Sequence, residues 1–185
     1  MSDCDDIKLE HYLAISRAIG GELDFQNVLN RIAGTVKSKL LDYDHMDIAV
    51  VLPNDKSMHV AIETGMQTVW GMDGSKRENA FSPIRQILSG EVDVQTTGDA
   101  WEDARFHFDG SCDAPIFEAN LRSRIHVSLN VHGELLGALN ISSHMKNAYG
   151  DREIEIARNI ADLISPYIYA LTMGEQAQAL SLIHI

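Results

Sequence analysis

The most regular pattern of apolar and polar positions in the chain begins at residue 124. Apolar and polar residues alternate there for eight positions, which is typical of a β-strand with one apolar and one polar face. We therefore predict a strand over Arg124–Val131. Its polar residues are Arg124, His126, Ser128 and Asn130. The following segment, Leu135–Ser142, is apolar almost throughout and predicts a central strand that is covered on both faces.

The connection through His132-Gly133-Glu134 decides which residues share the polar face of this pair. A two-residue turn at Gly133-Glu134 would place the even-numbered residues of the first strand beside Leu139 and Ile141. A three-residue turn would place them beside Asn140 and Ser142, because a shift of one residue moves a side chain to the other face. The residues alone leave both registers open.

A long helix is predicted after the strand pair. Asp151 is a favourable N-cap residue, and Glu153 adds negative charge near the positive end of the helix dipole. Pro166 removes a backbone hydrogen bond, so we expect the helix to kink there or to end its first segment. The apolar stripe of this helix consists of Ile156, Ile160, Leu163, Ile164, Tyr167 and Leu171.

Upstream of residue 124, apolar residues recur at helical spacing in some segments and alternate with polar residues in others, which predicts further helices and strands. In chain order they are a helix over residues 7–19, a helix that begins at the N-cap Asp24, a hairpin of Met46–Leu52 and Ser57–Thr64 around Pro53-Asn54-Asp55, a short helix from Ser82-Pro83 to Gly90, and a strand at Val92–Val94. The first two helices are expected to pack antiparallel. Helices at both ends of a mainly antiparallel sheet predict an α+β domain.

Several segments of the chain resemble GAF domains, which are small-molecule sensing and dimerisation modules. The resemblance lies in Arg122–Ile141, Tyr149–Glu153, Ser89–Val92 and Asp103–Phe106. It implies a GAF/PAS-like sheet of about five to six antiparallel strands, with the terminal helices on one face and a short helix plus crossover loops on the other. The predicted organisation is a flexible tail over 1–6, a GAF domain with flanking helices over 7–172, and a helical extension or linker over 173–185.

The resemblance also implies where a small molecule would bind, between the sheet and the crossover. Only residues 65–120 are available to cover that sheet face, and a connection of this length is typical of a binding lid. Its aromatic residues are either pocket walls or parts of the core. The predicted ligand-binding residues are Trp101, Phe106, Phe108, Cys112, Phe117, Arg124, His126, Ser128 and Asn130.

Composition narrows the classes of function. A formal net charge of −12 argues against direct contact with nucleic acid, which requires clustered Lys and Arg. No apolar run approaches the roughly 20 residues of a membrane span, so no membrane association is expected. The two cysteines, Cys4 and Cys112, are too few for a disulfide framework and favour a cytoplasmic setting.

The sequence gives little support for the specific ligands and activities that are known among GAF proteins. Bilin attachment uses a cysteine followed by histidine, whereas Cys112 is followed by Asp113, and the lysine of a cyclic-nucleotide signature is missing. The histidines are scattered, so no metal site is predicted, and no cofactor can be named. A thiol-dependent free methionine sulfoxide reductase remains an alternative, with Cys112 as its candidate thiol.

The favoured hypothesis is a non-catalytic sensory domain in signal transduction or transcription regulation. Apolar residues continue to the chain end, which predicts a homodimer formed through the N- and C-terminal helices. An unidentified small molecule would then shift these helices by differential affinity for two arrangements. A dimerisation module without a ligand is a third possibility.

Overall fold

The computed structural model describes residues 25–51, 58–65, 83–106 and 113–183. Several predictions fall outside these ranges: the tail and helix over 1–19, the cap at Asp24, the turn at Pro53-Asn54-Asp55, the cap at Ser82, Phe108 and Cys112. These stay predictions.

Within the described ranges there are four α-helices and five strands, and apart from the short helix at Ala114–Glu118 they follow one another in the predicted order. In chain order they are α1 (Phe25–Thr35, continued by a π-helical turn at Val36–Leu40), β1 (His45–Val51), β2 (Met58–Gly65), α2 (Pro83–Leu88), β3 (Val94–Thr97), α3 (Ala114–Glu118), β4 (Ser123–Val131), β5 (Glu134–Ser143) and α4 (Asp151–Ile183). No helix in the described ranges is long and apolar enough to cross a membrane.

The strands form one antiparallel sheet in the order β2-β1-β5-β4-β3. The predicted hairpins, β1–β2 and β4–β5, are therefore neighbours in the sheet. Strand β5 lies in the middle, which agrees with its nearly continuous apolar sequence. The α+β prediction with a mainly antiparallel sheet is confirmed.

The turn between β4 and β5 has two central residues, but they are not the two that the sequence suggested. Only His132 and Gly133 separate the paired residues Val131 and Glu134. Both turn residues have positive φ, +52° and +83°, as a type I′ hairpin turn requires. The proposed turn at Gly133-Glu134 is wrong, because glycine is needed at the second central position and Glu134 already pairs with β4.

A β-bulge at Leu136 then shifts the register of this hairpin by one residue. Asn130 lies opposite Leu135, whereas Leu129 lies opposite Gly137. A two-residue turn plus one bulged residue has the same offset as the predicted three-residue turn. His126 consequently lies opposite Asn140, so the polar residues of β4 share a face with Asn140 and Ser142.

The apolar face of the sheet packs against α1 and α4. Ile125 and Ile141 from the central strands, Ile32 from α1 and Ile160 from α4 belong to one continuous buried cluster. Both helices therefore cover one face, as predicted from their apolar stripes. The opposite face, with the even-numbered residues of β4, is left for other segments.

Two predicted features of α4 need correction. The helix begins at Asp151, so Gly150 is the cap residue: its carbonyl accepts the first helical hydrogen bond from Ile154, and its N–H donates to Glu153 Oε2 at 2.9 Å. Of the two outcomes predicted at Pro166, an end of the first helical segment is wrong because the helix continues to Ile183, and a kink stays a prediction. Pro166 lies on the exposed side, where the carbonyl that loses its partner can face water.

Helix α2 ends as its glycine predicts, but β3 does not begin where predicted. Gly90 has φ +74°, and its N–H donates to Ile87 O while Glu91 N–H donates to Gln86 O, which is a Schellman ending. The strand lies at Val94–Thr97 rather than Val92–Val94, because pairing with β4 begins only at Val94. The crossover also contains α3, a helix that no local periodicity predicted.

Candidate functional site

The sheet face opposite α1 and α4 has an apolar end and a polar end. At the apolar end, Ile84 and Ile87 of α2 pack on Ala49 of β1 and Ala138 of β5. The small alanines allow the short helix to approach the strands closely. The polar end carries buried side chains from three neighbouring strands: His45, Asp47, Arg124, His126, Asn140 and Ser142.

A continuous hydrogen-bonded relay crosses this polar end. Asn140 Nδ2 donates to Asp47 Oδ2 at 2.6 Å, and Asn140 Oδ1 lies 2.8 Å from His126 Nδ1. The three residues lie opposite one another in the β1–β5–β4 register and are all buried. The sheet itself therefore builds the relay, and its geometry does not depend on a loop.

His126 is held in the neutral form. Its ring is 1% exposed, and burial together with the nearby charge of Arg124 lowers the pKa of His126 to about 3, although the hydrogen bond with Asn140 opposes this shift. Its Nε2 atom has no hydrogen-bond partner among the described residues, and neither does Ser142 Oγ. Buried polar atoms are normally hydrogen-bonded, so these two atoms are candidate contacts for a bound molecule.

Two further ionisable residues flank the relay. Arg124 is 3% exposed and lies opposite Ser142, on the same face as His126. On the other side, His45 Nδ1 lies 3.7 Å from Asp47 Oδ1. The polar end thus combines a guanidinium, a carboxylate, a hydroxyl and imidazole groups, which is a suitable set for orienting a small polar molecule.

The crossover is tied to the same sheet face through Arg105. Its guanidinium donates to Gln95 Oε1 at 2.7 Å and to Thr96 O at 3.1 Å, and it pairs with Asp103. Gln95 lies opposite His126 in the β3–β4 register. Burial alone would raise the pKa of Asp103, but its hydrogen bonds with Arg105 bring that pKa below its usual value. Arg105 therefore anchors the crossover beside the relay.

The predicted aromatic residues of the crossover form a small cluster of their own. Phe106 and Phe117 are buried with Leu121, and Trp101 is 44% exposed with its ring centroid 5.7 Å from that of Phe117. The guanidinium of Arg122 lies 5.2 Å from the Trp101 centroid. These contacts give the three aromatic residues a packing role, and their role as pocket walls stays a prediction.

The four polar residues of β4 do not form one site. Arg124 and His126 are buried in the polar end, whereas Asn130 is exposed and donates to Ser128 Oγ at 2.7 Å. Ser128 and Asn130 instead line an open groove of about 510 Å³ at the sheet edge, together with Ile87, Val94 and Arg158. Strand β3 pairs with β4 only over Arg124–Val127, so Ser128 and Asn130 lie beyond the end of β3.

Sequence reasoning missed Asp47 and Asn140, although both interrupt strongly apolar strands. A lone carboxylate between Met46 and Ile48 is costly to bury unless it is paired, and that is the signal that could have identified it. Asp99 was also missed as a structural anchor: Arg122 binds it through two hydrogen bonds, of 2.8 and 2.6 Å. Within the described ranges, no three potential metal ligands cluster closely enough to hold an ion.

Solved structures of GAF domains align with this chain over most of its length. The GAF domain of a phosphoenolpyruvate-protein phosphotransferase from Coxiella burnetii aligns with a TM-score of 0.74 at 12% identity, covering 92% of this chain and 96% of that chain. The corresponding Acinetobacter domain aligns with a TM-score of 0.72 at 14% identity, covering 95% and 99%.

An enzyme structure aligns over a similar length. The free methionine-R-sulfoxide reductase of Neisseria meningitidis, solved in complex with its substrate, has a TM-score of 0.69 at 15% identity, covering 94% of this chain and 95% of that chain. No protein-family model matches the chain, and no curated protein matches its sequence. The structural alignments nevertheless extend over nearly the whole length of known GAF domains. The chain therefore has the GAF fold that its sequence predicts.

Proposed function

We propose that this domain is a non-catalytic sensor that binds a small molecule against the polar end of its sheet. The observation that carries the proposal is the buried relay of Asp47, Asn140 and His126, which ends in a ring nitrogen without a partner among the described residues. A buried polar network that serves packing alone would have its atoms satisfied internally.

The opposite face of the same strand offers a route for the signal. His126 and Arg124 alternate along β4 with Ile125 and Val127, which pack in the cluster that includes α4. A ligand that favours one position of β4 would thereby favour one position of the terminal helix. In a dimer formed through the terminal helices, this shift would reach the partner and any output domain in the cytoplasm.

The test is a thermal-shift screen of the purified chain against a metabolite panel, together with native mass spectrometry for co-purified small molecules. Binding to the native state raises the melting temperature with ligand concentration. We expect a hit whose shift disappears in His126→Phe and persists in His132→Gln, since His132 lies in the exposed turn. A hit lost in Asn130→Ala but retained in His126→Phe would place binding in the edge groove instead.

A second candidate is a thiol-dependent reductase of free methionine sulfoxide. It is favoured by the fold alignment with reductases of that activity from Neisseria meningitidis and Thermoplasma acidophilum, the latter with a TM-score of 0.62. Two thiols would supply the electrons: the sulfoxide oxygen leaves as water, and the two sulfurs form a disulfide. The assay is loss of methionine-R-sulfoxide with a thiol donor. Activity that is abolished in Cys112→Ser but kept in Cys4→Ser would establish the enzyme.

The same experiments distinguish both functions from that of a ligand-free dimerisation module. That third function predicts no thermal shift and no sulfoxide reduction, combined with a dimer in size-exclusion chromatography with light scattering. A monomer that responds to a metabolite would instead retain the sensory proposal and remove the dimer from it.

A further inference from the structure

The hydrogen-bond directions of the relay are determined by its first member. The amide NH₂ of Asn140 donates to Asp47 Oδ2 at 2.6 Å, so the amide nitrogen of Asn140 is on the side of Asp47. The carbonyl oxygen of Asn140 then points to His126 and can only accept. The proton shared by this contact must come from His126 Nδ1.

These hydrogen-bond directions determine whether His126 Nε2, the other ring nitrogen, can donate or accept a hydrogen bond. A neutral histidine that carries its proton on Nδ1 has a lone pair on Nε2, which can accept but not donate. His126 is 1% exposed, and Nε2 has no partner among the described residues. A buried acceptor without a partner destabilises the folded chain, and a ligand with a matching donor would remove that cost.

The surrounding charges select the kind of donor. The guanidinium groups of Arg124 and Arg105 both disfavour positive charge at His126, and the only carboxylate of the relay, Asp47, lies behind the Asn140 amide. A ligand ammonium group placed against Nε2 would meet the same repulsion as a protonated imidazole. A neutral hydroxyl, amide or heterocyclic N–H would not.

We infer that the bound molecule presents an uncharged N–H or O–H donor to His126 Nε2, and that the relay from Asp47 selects this class over ammonium ions and over molecules without a donor. Ser142 lies diagonally across the β4–β5 register from His126 and offers its hydroxyl as a second contact. The inference rests on the proposed binding function and specifies the chemical class of the ligand.

Nitrogen NMR of the wild-type chain tests the tautomer directly. In protein labelled with ¹⁵N-histidine, we expect a protonated Nδ1 and an unprotonated Nε2 for His126 at neutral pH. The resonance is assigned by its loss in His126→Gln or by through-bond correlation. Asp47→Asn releases the orientation of Asn140 and should shift His126 toward the other tautomer, whereas the matched change Asp162→Asn on the exposed side of α4 should not. Protonated Nε2 in the wild type would overturn the inference.

Fragment pairs test the selectivity. The probes are 2-pyridone with N-methyl-2-pyridone, benzamide with N,N-dimethylbenzamide, and benzylammonium, each titrated while the His126 Nε2 resonance is followed. We expect at least one donor fragment to shift this resonance several-fold more than its methylated partner, and benzylammonium to have no effect. Equal shifts within each pair would overturn this inference but leave small-molecule binding intact. No response to any fragment would count against both proposals.

Discussion

At the scale of single residues, the buried neutral His126 makes stability depend on pH. Its pKa in the folded state is about 3, whereas an unfolded histidine titrates near 6.5. As the pH falls below about 6.5, His126 becomes protonated in the unfolded chain but stays neutral in the folded chain. The stabilisation is complete above that pH and is lost progressively toward pH 3, with a slope approaching about 1.4 kcal/mol per pH unit.

Urea denaturation between pH 4.5 and 7 measures this effect. We expect His126→Gln to flatten the slope, because glutamine can still donate to Asn140 Oδ1 and does not titrate. The matched variant His132→Gln, which changes an exposed histidine in the turn, should keep the wild-type slope. If the slopes of His126→Gln and wild type coincide, the folded histidine is not held neutral and the relay is misassigned.

At the scale of elements, the β4–β5 turn can be improved. His132 occupies the first central position of a type I′ turn at φ +52°, where asparagine is favoured and a β-branched residue is strained. We expect His132→Asn to raise the free energy of unfolding by roughly 0.5 kcal/mol and His132→Val to lower it. Chemical denaturation of both variants measures the changes. Equal effects of the two substitutions would show that the turn is not under conformational strain.

Gly137 follows the bulged residue Leu136, and only a residue without a side chain fits at its position. A Cβ at Gly137 would lie 1.9 Å from the carbonyl oxygen of Ala49, and a backbone atom in the sheet centre cannot move away easily. We expect Gly137→Ala to cost about 1–3 kcal/mol, the range for overpacked sites. Gly34→Ala is the control: no atom lies within 4 Å of its Cβ, and helix α1 should gain up to about 1 kcal/mol. A neutral Gly137→Ala would mean that β1 and β5 separate freely.

At the scale of the whole molecule, the sequence predicts elements better than it predicts the site. Strands β4 and β5 and helix α4 were predictable because their periods are local. The face shared by His126 and Asn140 was not, because it depends on a two-residue turn and a bulge whose effects on register combine. The relay also joins residues 47, 126 and 140 through the strand order β1-β5-β4, which no local pattern contains.

Asp99 connects three distant parts of the chain and yields a prediction at the same scale. It follows β3, and it binds Arg122 before β4 and Lys146 after β5, with Oδ2 to Nζ at 2.7 Å. The hydrogen bonds from Arg122, followed by that from Lys146, outweigh burial and hold the pKa of Asp99 well below its usual range. Its stabilisation is thus present above the unfolded pKa of about 4 and is lost as the pH falls through the folded value.

We expect Asp99→Asn to lower the melting temperature by several degrees at pH 7 and to reduce the loss of stability that wild type shows below pH 4. Part of the effect should be screened by salt, because the Lys146 side chain is half exposed. Calorimetry at low and high ionic strength measures both changes. Glu102→Gln, which removes a surface partner of Lys146 but leaves Asp99 and Arg122 joined, should change little. If both variants melt alike, the connection between β3, β4 and the β5–α4 loop is made by the apolar cluster of Phe106 and Phe117, and the ion pair is incidental.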